Sequence, residues 1–187
     1  VAVTIAALIW MLRPWSSRPL LVAWAVTDYQ SPLIPLNEFA LRDVQTISQA
    51  TGFTLGSTRE EIAASNLQTQ GGFENFFAGT LGRLEDPILV VYVSAHGASR
   101  SDGGYLLVSE SSTDPGTGYP VRRVIEQMAR CPVKRKLLLL DATRLGGQLA
   151  LGMLGNDFVE HVQRDFESVT KTLPDEGSSF WILVSSG

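Results

Sequence analysis

The sequence predicts an α/β domain: a mostly parallel sheet with helices on both faces, three layers in all. Three observations carry this. Leu137 to Leu140 is an unbroken leucine run, which suits a strand buried on both faces and therefore a covered parallel sheet. Ile88 to Ala95 is a second such run. Strand-like and helix-like stretches then alternate along the chain, the pattern of strand–helix–strand units.

Composition agrees with one folded domain. The chain has 187 residues, 44% of them apolar, enough for a core of its own. Its 17 glycines and 9 prolines fit a globular chain rather than a disordered one. The formal net charge of -4 offers no basic face, so nucleic acid is not an expected partner. A single cysteine, Cys131, excludes an internal disulfide framework and a cysteine-built metal site.

The first twelve residues are apolar and uncharged. A full membrane span needs roughly 20 such residues. With Trp10, Arg13 and Trp15 alongside, the stretch reads as the inner half of a membrane helix; a signal-peptide core and a buried strand are the alternatives. Arg13 and Arg18 favour a cytoplasmic domain by the positive-inside tendency. The expectation is an anchor and linker over residues 1–18. A membrane-anchored domain follows over 19–187, cut short at its carboxyl end.

In chain order, Leu20 to Thr27 reads as a first buried strand. Residues 28–37, with Pro32 and Pro35, form a loop too rich in proline for a helix. A helix is expected over 38–50, with Phe39, Val44, Ile47 and Ala50 on its inner face and Gly52 ending it. Phe53 to Leu55 is a short strand. Ser57 and Glu60 form a capping box that opens a helix to Leu67. Gly71-Gly72 breaks the chain, and Phe73, Phe76, Phe77 and Leu81 make a helical stripe over 73–84.

The next strand ends at His96, and residues 97–104 read as a flexible loop. Tyr105 to Val108 is a short strand, and residues 110–118 are a loop. A helix spans 120–131 with Pro120 in its first turn and Val121, Val124, Ile125 and Met128 apolar. The leucine strand stops at Asp141. A helix follows over 156–172, then a last strand over 179–185.

Ligands of open parallel sheets sit at the carboxyl ends of the strands, so two strand ends draw attention. His96-Gly97 closes one. A histidine there can act as a general base, and the glycine admits a carbonyl to the backbone amide. The plain alternative is a surface histidine at a strand-to-loop junction. Asp141-Ala142-Thr143-Arg144 closes the other. Asp141 can bind a cation or satisfy turn amides. Thr143 can be a nucleophile if deprotonated or a turn cap. Arg144 can pair with Asp141, meet a carboxylate or be solvated. Cys131 is remote from both and reads as inert. His161 sits on a helix with no second histidine nearby, and no phosphate-loop pattern occurs. Neither metal nor cofactor is expected.

The two ends, Tyr92-Val93-Ser94-Ala95-His96-Gly97 and Leu137 to Thr143, together resemble the caspase-like cysteine peptidases, caspases and metacaspases. In that family the first strand ends in the catalytic His-Gly and the second in Asp-Ala-Cys or Asp-Ser-Cys. The likeness runs over residues 20–187 and includes the opening strand, loop and helix. It implies a three-layer caspase-like fold, with His96 at the base position and Thr143 at the nucleophile position. The amides of Gly97 and Thr143 would be the oxyanion donors. Asp141, and with it Asp43, would bind a basic side chain before the scissile bond.

Position 143 departs from the family. A thiolate is accessible near neutral pH and an alcohol is not; threonine also adds a crowding methyl. Arg144 stands where the family has a small residue and would fill the pocket or pair with Asp141. The resemblance therefore implies a pseudo-peptidase, a membrane-tethered interaction module that binds a peptide or protein segment. A Thr143- and His96-dependent hydrolase is the alternative.

Overall fold

The leucine run and the Ile88 run form neighbouring strands at the centre of the fold. The computed structural model describes residues 19–51, 54–55, 68–81, 88–144, 157–172 and 179–185. The strands are β1 (Leu20–Ala25), β2 (Thr54–Leu55), β3 (Ile88–Arg100), β4 (Gly103–Leu106), β5 (Tyr119–Pro120), β6 (Arg135–Arg144) and β7 (Ser179–Ser185). The helices are α1 (Ala40–Thr51), α2 (Gln70–Leu81), α3 (Val121–Arg130) and α4 (Phe158–Thr170).

All seven strands among the described residues join one open, mixed sheet. β1 pairs in parallel with β2 and β3, and β6 pairs in parallel with β3 and β7. The antiparallel pairings are β3–β4 and β4–β5. β3 outruns β1: its pairing with β1 stops at Ser94, and from Gly97 onward β4 takes the place beside it.

Helices cover both faces. On one, α1 packs Ala40 and Val44 against Leu21, Ala23, Val90, Tyr92, Leu137 and Leu139. On the other, α2, α3 and α4 pack against Val22, Trp24, Val91, Val93, Leu138 and Leu140. The alternation along each strand follows from the two-residue period of side-chain direction. Trp24 meets Phe73 edge-on at 4.1 Å, and Phe73 lies 4.2 Å from Tyr119. Burying these rings removes large apolar surfaces from water on that face.

Several expectations need correction. Gly71-Gly72 does not break the chain; both lie in the first turn of α2. The open amides there are met by side chains: Gly72 N–H donates to Thr69 Oγ1 and Gln70 N–H to Glu110 Oε1, which offsets the poor helix propensity of glycine. The stretch after His96 is strand, not loop, through Arg100, with a two-residue turn at Ser101-Asp102. Glycine and serine there serve a tight hairpin. β4 accordingly starts at Gly103 rather than Tyr105. β6 likewise runs on to Arg144.

Phe39 was expected inside and is 61% exposed. The helix begins one residue later, and Ala40, Val44 and Ile47 form the inner stripe, the i, i+4, i+7 spacing of an amphipathic helix. The anchor expected over 1–18 and the helix expected over 57–67 lie outside the described residues. Among the described residues no helix is long and apolar enough to cross a membrane.

Candidate functional site

β1, β3 and β6 run parallel, so their carboxyl ends share one edge of the sheet. Residues 28–39, between β1 and α1, cross that edge. They are tied down by hydrogen bonds from Gln30 N to Ser109 O (2.7 Å) and from Asn37 N to Thr27 O (3.0 Å). The strap carries the groups that fix His96.

His96 is only 4% exposed. Its backbone N–H donates to Tyr29 Oη at 3.0 Å, and the Tyr29 ring stacks on the imidazole at 5.0 Å. Its Nε2 lies 2.8 Å from Pro35 O. A carbonyl only accepts, so Nε2 carries the proton, and a neutral ring keeps its basic lone pair at Nδ1. Burial also pushes the Tyr29 phenol well above its ordinary value, with the His96 amide acting weakly against that. Tyr29 is thus a neutral roof over the histidine.

In the register of β3 and β6, His96 stands opposite Thr143 and Gly97 opposite Arg144. Neighbouring strands are about 4.8 Å apart, so positions 96 and 143 are adjacent. The side chains of Thr143 and Arg144 lie outside the described residues. Gly97 has a packing reason to be glycine. A Cβ there would stand 3.1 Å from the Phe158 ring and 3.1 Å from the Ala142 Cβ. Its backbone runs between β4 and β6, where amides are directed at neighbouring strands.

Two residues before this pair in both strands stand Ser94 and Asp141. Tyr92 donates from its hydroxyl to Asp141 Oδ2 at 2.7 Å. Asp141 is half-buried and registered opposite Ser94. The Ser94 hydroxyl accepts from Asn37 Nδ2 at 3.2 Å. Asp43, in the first turn of α1, is pushed above the usual carboxylate range, first by desolvation and then by the charge of Asp141, with Arg42 acting the other way. The Tyr92 phenol is raised strongly by burial, by Asp141 and by Asp43. Asp141 shares the parity of Leu137 and Leu139, whose face α1 covers, so Asp43 and Asp141 lie on one face of the sheet, near enough for their charges to interact. Two carboxylates held close repel each other and are relieved by a cation; an ammonium or guanidinium group suits them through charge-assisted hydrogen bonds.

The fold thus places Asp43 and Asp141 on one face of the sheet and position 143 beside His96. Sequence reasoning missed Tyr29, Pro35, Asn37, Tyr92 and Ser94. A signal for two of them was present: Tyr92, Ser94 and His96 share one parity of β3, whereas Val91, Val93 and Ala95 share the other. Polar groups recurring at every second position mark a face that is not pure core.

The remaining candidates are structural. Cys131 is buried, and burial pushes its thiol up, which disfavours a reactive thiolate. Lys136, also buried, donates from Nζ to Cys131 O at 2.9 Å and Ala129 O at 3.2 Å, satisfying carbonyls at the end of α3. His161 is partly exposed on α4. No group of three or more His, Cys, Asp or Glu suited to a metal occurs among the described residues. No family model matches the chain, and no curated protein matches it.

Proposed function

We propose that the chain is a caspase-like module that has lost peptidase chemistry and works by binding. In this reading the parallel strands are the mostly parallel core of a three-layer caspase-like sheet, with β4 and β5 an antiparallel extension. Residues 1–18 tether it to a membrane, with the domain on the cytoplasmic side. Its partner is a peptide or protein segment that places a Lys or Arg between Asp43 and Asp141.

The observation that carries the reading is the state of His96. A working general base must reach the proton that it removes. His96 is 4% exposed and lies beneath Tyr29. Its neighbour in register is threonine, whose alcohol needs strong activation before it can attack. The same register favours one second reading, a hydrolase using Thr143 and His96.

Cleavage of a mixed peptide library decides between them. The native chain, Thr143→Cys and His96→Ala are compared, with basic and acidic residues before the scissile bond. The binding reading expects no cleavage by the native chain, together with binding of Arg-containing peptides that Asp43→Asn and Asp141→Asn weaken. Cleavage by the native chain that His96→Ala abolishes would replace it with the hydrolase reading.

A further inference from the structure

Leu33, Leu36 and Phe39 are 50%, 56% and 61% exposed, and all three lie on the strap that crosses the site. Single exposed apolar residues are ordinary, but several together on a firmly held segment mark an interaction surface. The strap is firmly held. Tyr29 and Ile34 are buried in the core. Pro35 O bonds His96 Nε2, and Asn37 Nδ2 bonds Ser94 Oγ. Leu36 therefore stands between two anchored residues and still faces solvent. Phe39 O accepts from Asp43 N at 2.9 Å. The two residues are one helical turn apart, so their side chains are neighbours. The exposed ring therefore stands beside Asp43.

Charge selects what can cover this surface. Residues 28–43 contain the acids Asp28, Glu38 and Asp43 and one cation, Arg42, and Asp141 lies on the sheet face that α1 covers. An anionic lipid surface would be repelled, since such membranes attract basic segments. The patch also lies at the opposite sheet edge from Leu20, where residues 1–18 join. A second copy would set acid against acid. A cationic, apolar segment is complementary in both respects.

We propose that Leu33, Leu36 and Phe39 form the apolar half of a peptide-docking surface whose polar half is the Asp43–Asp141 pair. The occupant is a segment of a partner protein in which one Lys or Arg is flanked by large apolar residues. This rests on the reading of the acidic pair as a site for a basic side chain, and it adds what must stand beside that side chain.

The test uses the full chain and three labelled synthetic peptides, read by fluorescence anisotropy. One has a single Arg flanked by Leu and Phe. The second keeps the Arg and replaces its neighbours with Ser. The third keeps Leu and Phe and replaces the Arg with Glu. The native chain should bind the first at least about tenfold more tightly than the second, as burial of large apolar side chains requires, and should not bind the third. The triple variant Leu33→Ser, Leu36→Ser, Phe39→Ser should bind the first and second alike, at the native affinity for the second. Phe39→Ser alone should remove part of the difference, which covers the case of a misfolded triple variant.

If native and variant chains bind both Arg peptides equally, the apolar surface plays no part. The inference then falls while the basic-peptide reading stands. If no Arg peptide binds, both fall. A native dimer in light scattering that the triple variant dissolves would make the occupant a second copy and overturn the proposal. Sedimentation of the native chain, but not the variant, with phosphatidylserine-containing vesicles would overturn it in favour of lipid.

Discussion

The Tyr92 hydroxyl donates a 2.7 Å hydrogen bond to Oδ2 of Asp141, so the acid after the four leucines is anchored from the neighbouring strand. A buried phenol bonded to a carboxylate stabilises more than a neutral pair does. Tyr92→Phe keeps the ring and removes the donor. It should cost about 1–3 kcal/mol in urea unfolding. In an Asp141→Asn background the cost should shrink, because residues that share a hydrogen bond are not additive. Equal costs in both backgrounds would show that the charge of Asp141 adds nothing to the bond.

Asp43 gives a pH-dependent prediction. Its folded pKa is raised, by desolvation first and by Asp141 second. A raised group contributes stability that is full below its unfolded value, roughly 3.9 for Asp, and that is lost as pH rises through the folded value. At pH 7 the fold therefore holds a carboxylate that it disfavours. Asp43→Asn should raise the melting temperature at pH 7 and leave it unchanged near pH 3. A variant that melts lower at pH 7 would mean that Asp43 is held by favourable contacts instead.

Gly97 separates packing from chemistry. An added Cβ would press on Phe158 and Ala142 at 3.1 Å. Gly97→Ala should lower stability by about 1–3 kcal/mol, the usual cost of overpacking. In a Phe158→Ala background the penalty should be smaller, since the ring is gone and only Ala142 is met. Equilibrium unfolding of the four chains measures the coupling. A penalty independent of Phe158 would place the clash at Ala142 instead.

The unbroken apolar runs Ile88–Val91 and Leu137–Leu140 made β3 and β6 legible as central strands, because burial on both faces leaves no polar alternation over those residues. α3 was legible for the opposite reason: Val121, Val124, Ile125 and Met128 fall on one stripe, and all four are buried. The end of β3 was not legible. Residues 97–104 carry glycine, serine and aspartate in the proportions of a loop, and a tight hairpin uses the same residues. That error also set His96 at an exposed tip, whereas β3 continues past it. Tyr29 and Pro35 were beyond local reading, since no periodicity tells which loop residue will fold back over a strand. The pairing of Asp43 with Asp141 came from the family resemblance and not from spacing, as nearly a hundred residues separate them; the structure places both on one face of the sheet.

The burial of His96 yields the most direct check on the inert-site reading. The chain has two histidines. His161 is partly exposed on α4, and His96 is roofed by Tyr29. Diethyl pyrocarbonate acylates an accessible, unprotonated imidazole nitrogen. Mass spectrometry at near-neutral pH should show one adduct forming first, at His161, with His96 following far more slowly through local opening. Tyr29→Ala removes the roof and should bring the His96 rate close to that of His161. Tyr29→Phe keeps the stacked ring but removes the acceptor of the His96 amide; it should cost about 1–3 kcal/mol of stability and leave His96 largely protected. A native His96 that reacts as fast as His161 would show a ring open to solvent and able to exchange protons with a substrate. The inert-site reading would then lose the observation that supports it.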